Sequence, residues 1–432
     1  MNSTLIYDIA GIGIGPFNLG LAALLHPVKE LKSIFFEKND CFNWHPGMMI
    51  SGTTLQVPFY ADLVTLADPC SRFSFFSFLK YKNRLIRFSI YDHHFISRKL
   101  FNEYCNWVVS QLDNLQFNCE VNSIIYNQKK KCYEIHVTND HEQTKIYAKH
   151  IACGIGTEPS VPTFCSTLLG KTVFHSSSYL YQKENLAKQN SIVVIGSGQS
   201  AAEIFFDLLQ NIPGSPKQLN WITRSKGFFP MDYSKLALEM TSPDYISHFY
   251  SLPEHKKTEV LQSQNTLYKG INFSLIDRIY DKLYELAEEF GEVPVTLLTS
   301  MELRNVTQKQ KKYQLDFFHS EKETECMKYA DAIILATGYQ NTFPDFFDPV
   351  KERICWKDNA DLDIAFNYSI DANRSEIFVQ NAELLTHGFN APDLGMGPHR
   401  NAIIINSILG YEYYVTEKNV AFQQFGIQGS RL

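Results

Sequence analysis

At 432 residues the chain is long enough for two intimately connected domains. A net charge of −6 with 20% charged residues excludes a basic nucleic-acid footprint, and clusters such as Lys129 to Lys131 read as solvated turns. Nine cysteines without a CxxC pair, and no apolar run of membrane-spanning length, point to free thiols in a reducing, cytoplasmic setting with no membrane partner.

The first informative stretch is DIAGIGIGPFNLGLAALLH, Asp8 to His26. A short apolar strand (Leu5 to Ala10) runs into Gly11, Gly13 and Gly15, then Pro16 and Asn18 precede the helix-compatible Leu19 to Leu25. A strand that turns tightly into a helix needs positions without Cβ, so that backbone amides can approach a diphosphate. The next strand, Ser33 to Phe36, ends on Glu37. That acid lies roughly twenty residues on, where dinucleotide folds place the carboxylate that takes ribose hydroxyls.

The segment from Cys41 to Leu79 is aromatic and punctuated by Pro46, Gly47, Pro58 and Pro69, so it is not one helix. Its Trp44 and His45 read either as a packed Trp with a surface His or as part of a wrap around the redox end of a cofactor. A helix is expected over Ser97 to Val109, strands over Asn118 to Ile135 with a turn near Gln128, and a further strand over Lys145 to Ala152. CGIGTEPSVP then marks a crossing between domains. Ser191 to Ile195 leads into GSGQSAAEIFFDLL, where Gly196 and Gly198 form a second tight turn. The strand after it, Leu219 to Thr223, ends at Arg224 with Lys226 close by. A base there favours the 2′-phosphate of NADP; the bland alternative is an ordinary surface arginine.

Gly227 to Gly270 reads as loops and short helices over the junction, and Asn272 to Phe290 as an amphipathic helix. Strands at Val295 to Leu298 and Lys312 to Phe317 precede Ile333 to Leu335, which ends at Thr337, Gly338 and Tyr339. After Ile377 to Val379, the glycines Gly388, Gly395 and Gly397 lead to a helix over Asn401 to Leu409. The pattern predicts an α/β fold with two Rossmann-like dinucleotide-binding domains, an arrangement that resembles the flavin monooxygenase type. Residues 1–185 and 330–432 would form an FAD domain, completed by the C-terminal segment. Residues 186–329 would bind NADPH and carry a substrate-site insertion around 228–285.

No Ser-His-Asp set, HExxH or metal triad is present, and His93 and His94 read as surface residues. Side chains alone do not perform oxygen chemistry, so a flavin must carry it. Electron transfer to a disulfide would call for a redox CxxC, and its absence favours activation of O₂.

Taken together, GIGIGPFNLGLA, WHPGM, LQVPFYADLVTLADP, FSFFSFL, GSGQSAAE, ILATGY and THG resemble the flavin-dependent N-hydroxylating monooxygenases of siderophore biosynthesis, the lysine/ornithine N-hydroxylase family. The resemblance covers nearly the whole chain. It implies that NADPH reduces FAD, that O₂ forms a C4a-hydroperoxyflavin, and that a neutral primary amine takes the distal oxygen in a site closed to bulk water. It also implies a homo-oligomer, dimer or tetramer. By resemblance Gly13, Gly15, Pro16, Asn18, Glu37, Trp44, His45 and Gln56 belong to the FAD side. Gly196, Gly198, Gln199, Ser200 and Arg224 belong to NADPH, with His175, Ser178 and Tyr179 in the linker beside it and Thr337, Gly338 and Tyr339 in a further cofactor segment. Ser51 and Asp62 fall in flavin and substrate segments.

The departures concern the substrate. Where the amino-acid hydroxylases commonly read FLKDLVT this chain has FYADLVT, so the lysine that holds an α-carboxylate is Ala61. The family's positioning asparagine is Leu238, and its NYS segment is replaced around Leu267 by LYKG. Losing a charge and its polar partners together implies a substrate without a carboxylate, since a neutral pocket does not compensate a desolvated anion. This resembles the branch acting on putrescine, cadaverine or histamine. A carboxylate held instead by Lys269 or Arg400 is the competing reading, with lysine or ornithine as substrate. A diamine needs an acceptor for its far ammonium, for which Glu239, Asp232 and Asp393 are candidates; histamine needs a flat aromatic slot. The reading from a different class is a flavin reductase or redox-sensing binding protein.

Overall fold

Two open parallel sheets, each begun by a glycine-rich strand–turn–helix, organise the chain. The structure, a computed structural model, describes residues 5–139, 142–212, 217–358 and 361–427. In the first sheet Ile6–Ile12 lies between Ser33–Phe36 and Glu142–Cys153, parallel to both. Ile377–Val379 joins the far side of Glu142–Cys153, also in parallel. Ile12 is in register with both Phe36 and Cys153. The turns that leave these three strands therefore open at one edge, the place where such sheets bind ligands. The expected strand at Lys145 to Ala152 belongs to a longer antiparallel meander with Glu120–Asn127 and Cys132–Asn139.

The first helix, Pro16–Leu25, buries every residue except Phe17. It is covered by the C-terminal helix and the aromatic segment: a Cβ on Gly20 would sit 2.7 Å from the Leu63 carbonyl and 3.1 Å from the Asn401 amide. That C-terminal helix starts at Met396 rather than Asn401, because Gly395, Gly397 and Pro398 are accommodated in and before its first turn. The C-terminus thus completes the first core, as its sequence position after the second glycine turn suggested.

The second sheet has the order Val295–Leu298, Gln218–Ile222, Ser191–Ile195, Ala332–Leu335, Val173–His175, all parallel. Two of these strands fall outside the expected 186–329. Both are fully buried and extend the sheet past Ser191–Ile195, Ala332–Leu335 directly beside it and Val173–His175 beyond that at the edge. The chain crosses between the halves where Glu158–Pro159 pairs with Tyr339–Gln340. An antiparallel hairpin set, Met301–Lys309, Lys312–His319 and Thr324–Ala330, extends this half. Its outer strands are polar and half exposed, which is why only the middle one is signalled in the sequence.

The junction segment folds as four short helices, Lys235–Leu238, Pro243–Ser251, Glu254–Ser263 and Asn265–Tyr268, ahead of Phe273–Phe290. Asn272 caps that long helix by accepting from Ser274 N. Tyr245, Phe249 and Leu261 pack on Phe389. The insertion thereby buries its apolar side against the C-terminal part of the first half rather than against its own sheet. No helix among the described residues is long and apolar enough to cross a membrane.

Candidate cofactor and amine site

At the first glycine turn, Gly13 has φ +82°, and a Cβ there would stand 2.7 Å from the Gly154 carbonyl. Gly15 caps the helix in extended conformation with Pro16 in the first turn, and no side chain satisfies the leading N–H groups. Those donors face the open edge of the sheet. Asn18 is fully buried under the turn. Its amide donates to Ile12 O, Gly13 O and Ala152 O at 3.1, 2.8 and 3.2 Å, and its oxygen accepts from Gln380. It shapes the cradle from beneath instead of facing a ligand. Glu37 accepts from Ile14 N at 2.9 Å, which fixes the acid beside the turn.

The aromatic segment closes over this edge. Trp44 packs edge-on to Phe101 and His45, and His45 adopts φ +48°. A Cβ on Gly47 would meet Ser177 O at 1.9 Å, so WHPGM lies directly on the segment from His175 to Ser178. His45 faces solvent through the cleft yet is surrounded by protein; burial first, then the nearby Arg98 charge, takes its pKa down to about 4. His175 bonds Gly338 O at 2.9 Å and Ser177 Oγ at 3.0 Å, and Tyr339 stacks edge-on between His175 and His45. Thr337 Oγ1 donates to Ser160 O. Gly338, at φ +85°, has open space where a Cβ would lie.

At the second turn Gly196 has φ +139°, and a Cβ would clash with Ala336 O at 2.2 Å. Gly198 caps the following helix, again with no side-chain partner for its first donors, and Ser200 lies in its first turn. Gln199 is occupied by protein: its oxygen accepts from Asn272 N at 2.8 Å, and its amide donates to Glu203 at 2.8 Å. Gln56 reaches the same corner, 3.4 Å from Gln199 Oε1 and 3.3 Å from Gly270 O. Arg224 is exposed just beyond Ile222, whose carbonyl accepts from Gly196 N. The sequence reading missed two residues here. Arg98 pairs at 2.9 Å with Glu203, which is 2% exposed. An arginine in the first turn of one helix, and a glutamate inside the apolar run AAEIFF, are the signals that each has a buried partner.

At the amine end, Ala61 and Asp393 come together. A Cβ on Gly395 would be 3.2 Å from the Ala61 Cβ and 3.0 Å from Asp393 Oδ1. Asp393 accepts from Met396 N at 3.1 Å and has no ion-pair partner among the described residues. Burial, outweighing its backbone donors, pushes its carboxyl pKa up. It keeps partial solvent access all the same, as a group facing an internal cleft would. Tyr233 is near enough that, after burial, the Asp393 charge adds to the rise of its pKa to about 12. A small recess lined by Pro16, Phe17, Ala61, Phe101, Leu394 and Asn401, with the buried Asp62 also in its wall, lies between this point and the start of the helix that follows the first glycine turn.

Other expected substrate residues lie elsewhere. Glu239 accepts from Phe422 N and Gln423 N, both at 3.0 Å, so its carboxylate is engaged by the C-terminal segment. Leu238 is exposed and Leu267 packs into the Tyr245–Phe389 cluster. Lys269 is exposed, with its ammonium 4.8 Å from the Tyr268 ring. Asp232 is exposed and caps Ser234 N. Arg400 is buried against Glu383 at 2.9 Å and donates to Ala391 O, which leaves it unsuited to hold a substrate carboxylate. Leu238, Glu239, Leu267 and Lys269 lie on or at the ends of two short helices of the insertion, Asp232 lies in the loop before them, and Arg400 lies within the C-terminal helix.

Residues 5–341 match the family model for L-lysine 6-monooxygenase/L-ornithine 5-monooxygenase. The chain belongs to this family. The fold class, the enzyme class and the resemblance read from the motifs are thereby borne out. The chain is 44% identical over 425 residues to the putrescine N-hydroxylase of Acinetobacter baumannii, covering 98% of this chain and 95% of that one. Among solved structures it is similar to the FAD-bound cadaverine monooxygenase of desferrioxamine biosynthesis from Erwinia amylovora. There the TM-score is 0.96 at 43% identity, with 99% of this chain and 100% of that chain covered. The ornithine N-hydroxylase of Kutzneria sp. 744, solved with reduced FAD, NADP⁺ and L-ornithine, aligns with a TM-score of 0.87 at 25% identity, over 94% of this chain and 99% of that one.

Proposed function

We propose that the protein N-hydroxylates a short aliphatic diamine, putrescine or cadaverine, using FAD, NADPH and O₂, for a hydroxamate siderophore. The observation that carries this is the pairing of Ala61 with Asp393. The position that holds a carboxylate-binding lysine in the amino-acid hydroxylases is a methyl group, and beside it stands a deep carboxylate with no ion-pair partner among the described residues, Arg400 nearby being paired with Glu383. Bringing an ammonium to that carboxylate relieves its desolvation, whereas an amino-acid carboxylate would meet a like charge. The other end of the diamine then lies toward the first glycine turn, along the recess. The walls there are mostly apolar, and the one carboxylate among them, Asp62, is taken up by the N–H groups of Val64, Thr65 and Phe75, so the neutral, nucleophilic form of that amine is favoured and water is excluded.

Both turns fit their dinucleotides: each has uncapped helix donors at an open sheet edge and a glycine that no other residue replaces without a clash. FAD would be held in the first half by Gly13, Gly15, Pro16 and Glu37, with Trp44, His45 and Gln56 towards its redox end. NADPH would be held in the second half by Gly196, Gly198, Ser200 and Arg224, with Gln199, His175, Ser178 and Thr337 to Tyr339 shaping the contact between the two. When bound, this pair supplies the oxygen-transfer chemistry, which no side chain provides. Asn18 supports the first cradle, and the insertion 228–285 walls the amine chamber.

A cytoplasmic setting is supported by nine free cysteines. A homodimer or homotetramer is supported by the helix Leu85–Tyr91, which buries no residue and leaves Ile86 and Ile90 each 79% exposed. The test of function is product analysis with putrescine, cadaverine, histamine, lysine and ornithine. Hydroxylamine from the diamines above all others is the expected result. Better turnover of lysine or ornithine would contradict the reading of Ala61, and NADPH oxidation without any hydroxylamine would leave a flavin reductase.

A further inference from the structure

After the C-terminal helix the chain is anchored to the first half by Tyr414, whose hydroxyl donates to Leu24 O at 2.7 Å. It then crosses to the insertion and lies in irregular conformation along it. There five consecutive backbone N–H groups meet two carboxylates. Asn419, Val420 and Ala421 donate to Asp244 at 2.8, 2.7 and 2.9 Å. Phe422 and Gln423 donate to Glu239 at 3.0 Å each, and the Gln423 side chain donates to Glu239 and to Leu236 O. Little apolar burial accompanies this: Phe422 is 96% exposed, and only Phe425, packed edge-on to Tyr245 at 5.0 Å, adds a ring contact. The segment is held by charge-assisted hydrogen bonds rather than by a core.

The turn that carries these carboxylates is gripped from its inner side as well. Met240 O accepts from Asn390 at 3.0 Å, and Asn390 is buried three residues before Asp393. Tyr245 packs on Phe389 in the same loop, ring centroids 5.7 Å apart. We infer that the segment from Asn419 to Phe425 is a strap that sets the amine chamber, and that Asp244 and Glu239 are positioning residues acting through Met240 and Asn390 on Asp393. The outer hydrogen bonds press the turn of residues 239–245 against the loop of residues 388–393. The pose of Asp393 then depends on a strap that touches no substrate. The inference rests on the reading of Asp393 as the acceptor of the distal ammonium.

The experiment compares the FAD-loaded full chain with Asp244→Asn, Glu239→Gln, the double variant, and a chain ending at Lys418. Two readouts are taken. Amide hydrogen exchange, without amine, is expected to rise at residues 236–246 and also at 388–395. In steady state, KM for putrescine and cadaverine is expected to rise about tenfold in the double variant, with kcat changed less than about twofold and KM for NADPH unchanged. Butylamine and pentylamine, which offer Asp393 no ammonium, should keep their KM. Unchanged exchange at 388–395 despite a released tail would overturn the inference. So would equal shifts for diamines and monoamines, the mark of general destabilisation. If the parent enzyme hydroxylated no diamine, the functional reading would fail, while the exchange data would still decide whether the strap acts on the loop bearing Asp393.

Discussion

The two glycine turns share a plan but are supported in different ways. The first is locked within its own half: Asn18 donates to three carbonyls under it, and Gln380 completes the set from the C-terminal strand region. The second is shared. Its helix begins with Gln199, which bonds the insertion at Asn272 and lies beside Gln56 of the first half, and one helical turn later Glu203 takes Arg98. A cradle satisfied internally behaves as a rigid seat. A cradle whose first helical residue is bonded to two other segments couples its own state to the chamber between them.

Breaking either turn should have the largest effect. Gly196→Ala puts a methyl 2.2 Å from Ala336 O at φ +139°, and Gly13→Ala puts one 2.7 Å from Gly154 O at φ +82°. Strain of about 1–3 kcal/mol is expected from conformation alone, before any clash. Retained flavin absorbance after gel filtration should fall for Gly13→Ala, while Gly196→Ala should keep its flavin and lose NADPH-dependent reduction. Loss of both properties in both variants would contradict the division between the two seats.

Next is the tie across the halves. Arg98→Ala leaves the buried Glu203 without its cation, a change that costs about 3 kcal/mol or more in comparable sites. Thermal melting should drop markedly, and Arg98→Met with Glu203→Gln should recover much of the loss. If the double variant is as unstable as the single, the pair is not the coupling.

A pH series sharpens the same contrast from the side of the first half. His387 is 1% exposed, and burial, reinforced by Arg400 and Lys257, takes its pKa down to about 3 despite its bond to Phe366 O. Below about pH 6.5 the unfolded imidazole binds a proton that the folded one refuses, so stability is full above that pH and falls as pH drops toward 3. Each such histidine contributes a slope of up to about 1.4 kcal/mol per pH unit. His387→Asn should flatten the acid limb of a urea-unfolding series. The smallest change expected is for Gln199→Ala, about 1 kcal/mol in stability, with a visible rise in hydrogen exchange at Asn272.

Much of the fold was legible because its signals are local. Glycines at positive φ, an acid at a strand end and β-branched runs place both sheets and both turns to within a few residues. Strand membership at the crossing was not legible, since Val173–His175 is too short to declare which sheet it joins. The amine end divides in the same way. Ala61 is informative in sequence because a charge is missing from a motif. Asp393, Asp232 and Glu239 are equivalent there, and only the packing of the insertion separates the deep carboxylate from one exposed to solvent and one taken by the strap. Arg98 and Glu203 lie on separate helices, and their pairing depends on how the halves dock.

The most direct test of the central claim is the ratio of kcat/KM for cadaverine or putrescine to that for the monoamine of equal length, measured on the parent enzyme and on Asp393→Asn. A carboxylate that receives the far ammonium predicts a strong diamine preference that collapses by about one hundredfold in the variant, through KM, with the monoamine little changed. A preference that survives in Asp393→Asn, or is absent in the parent, would contradict it.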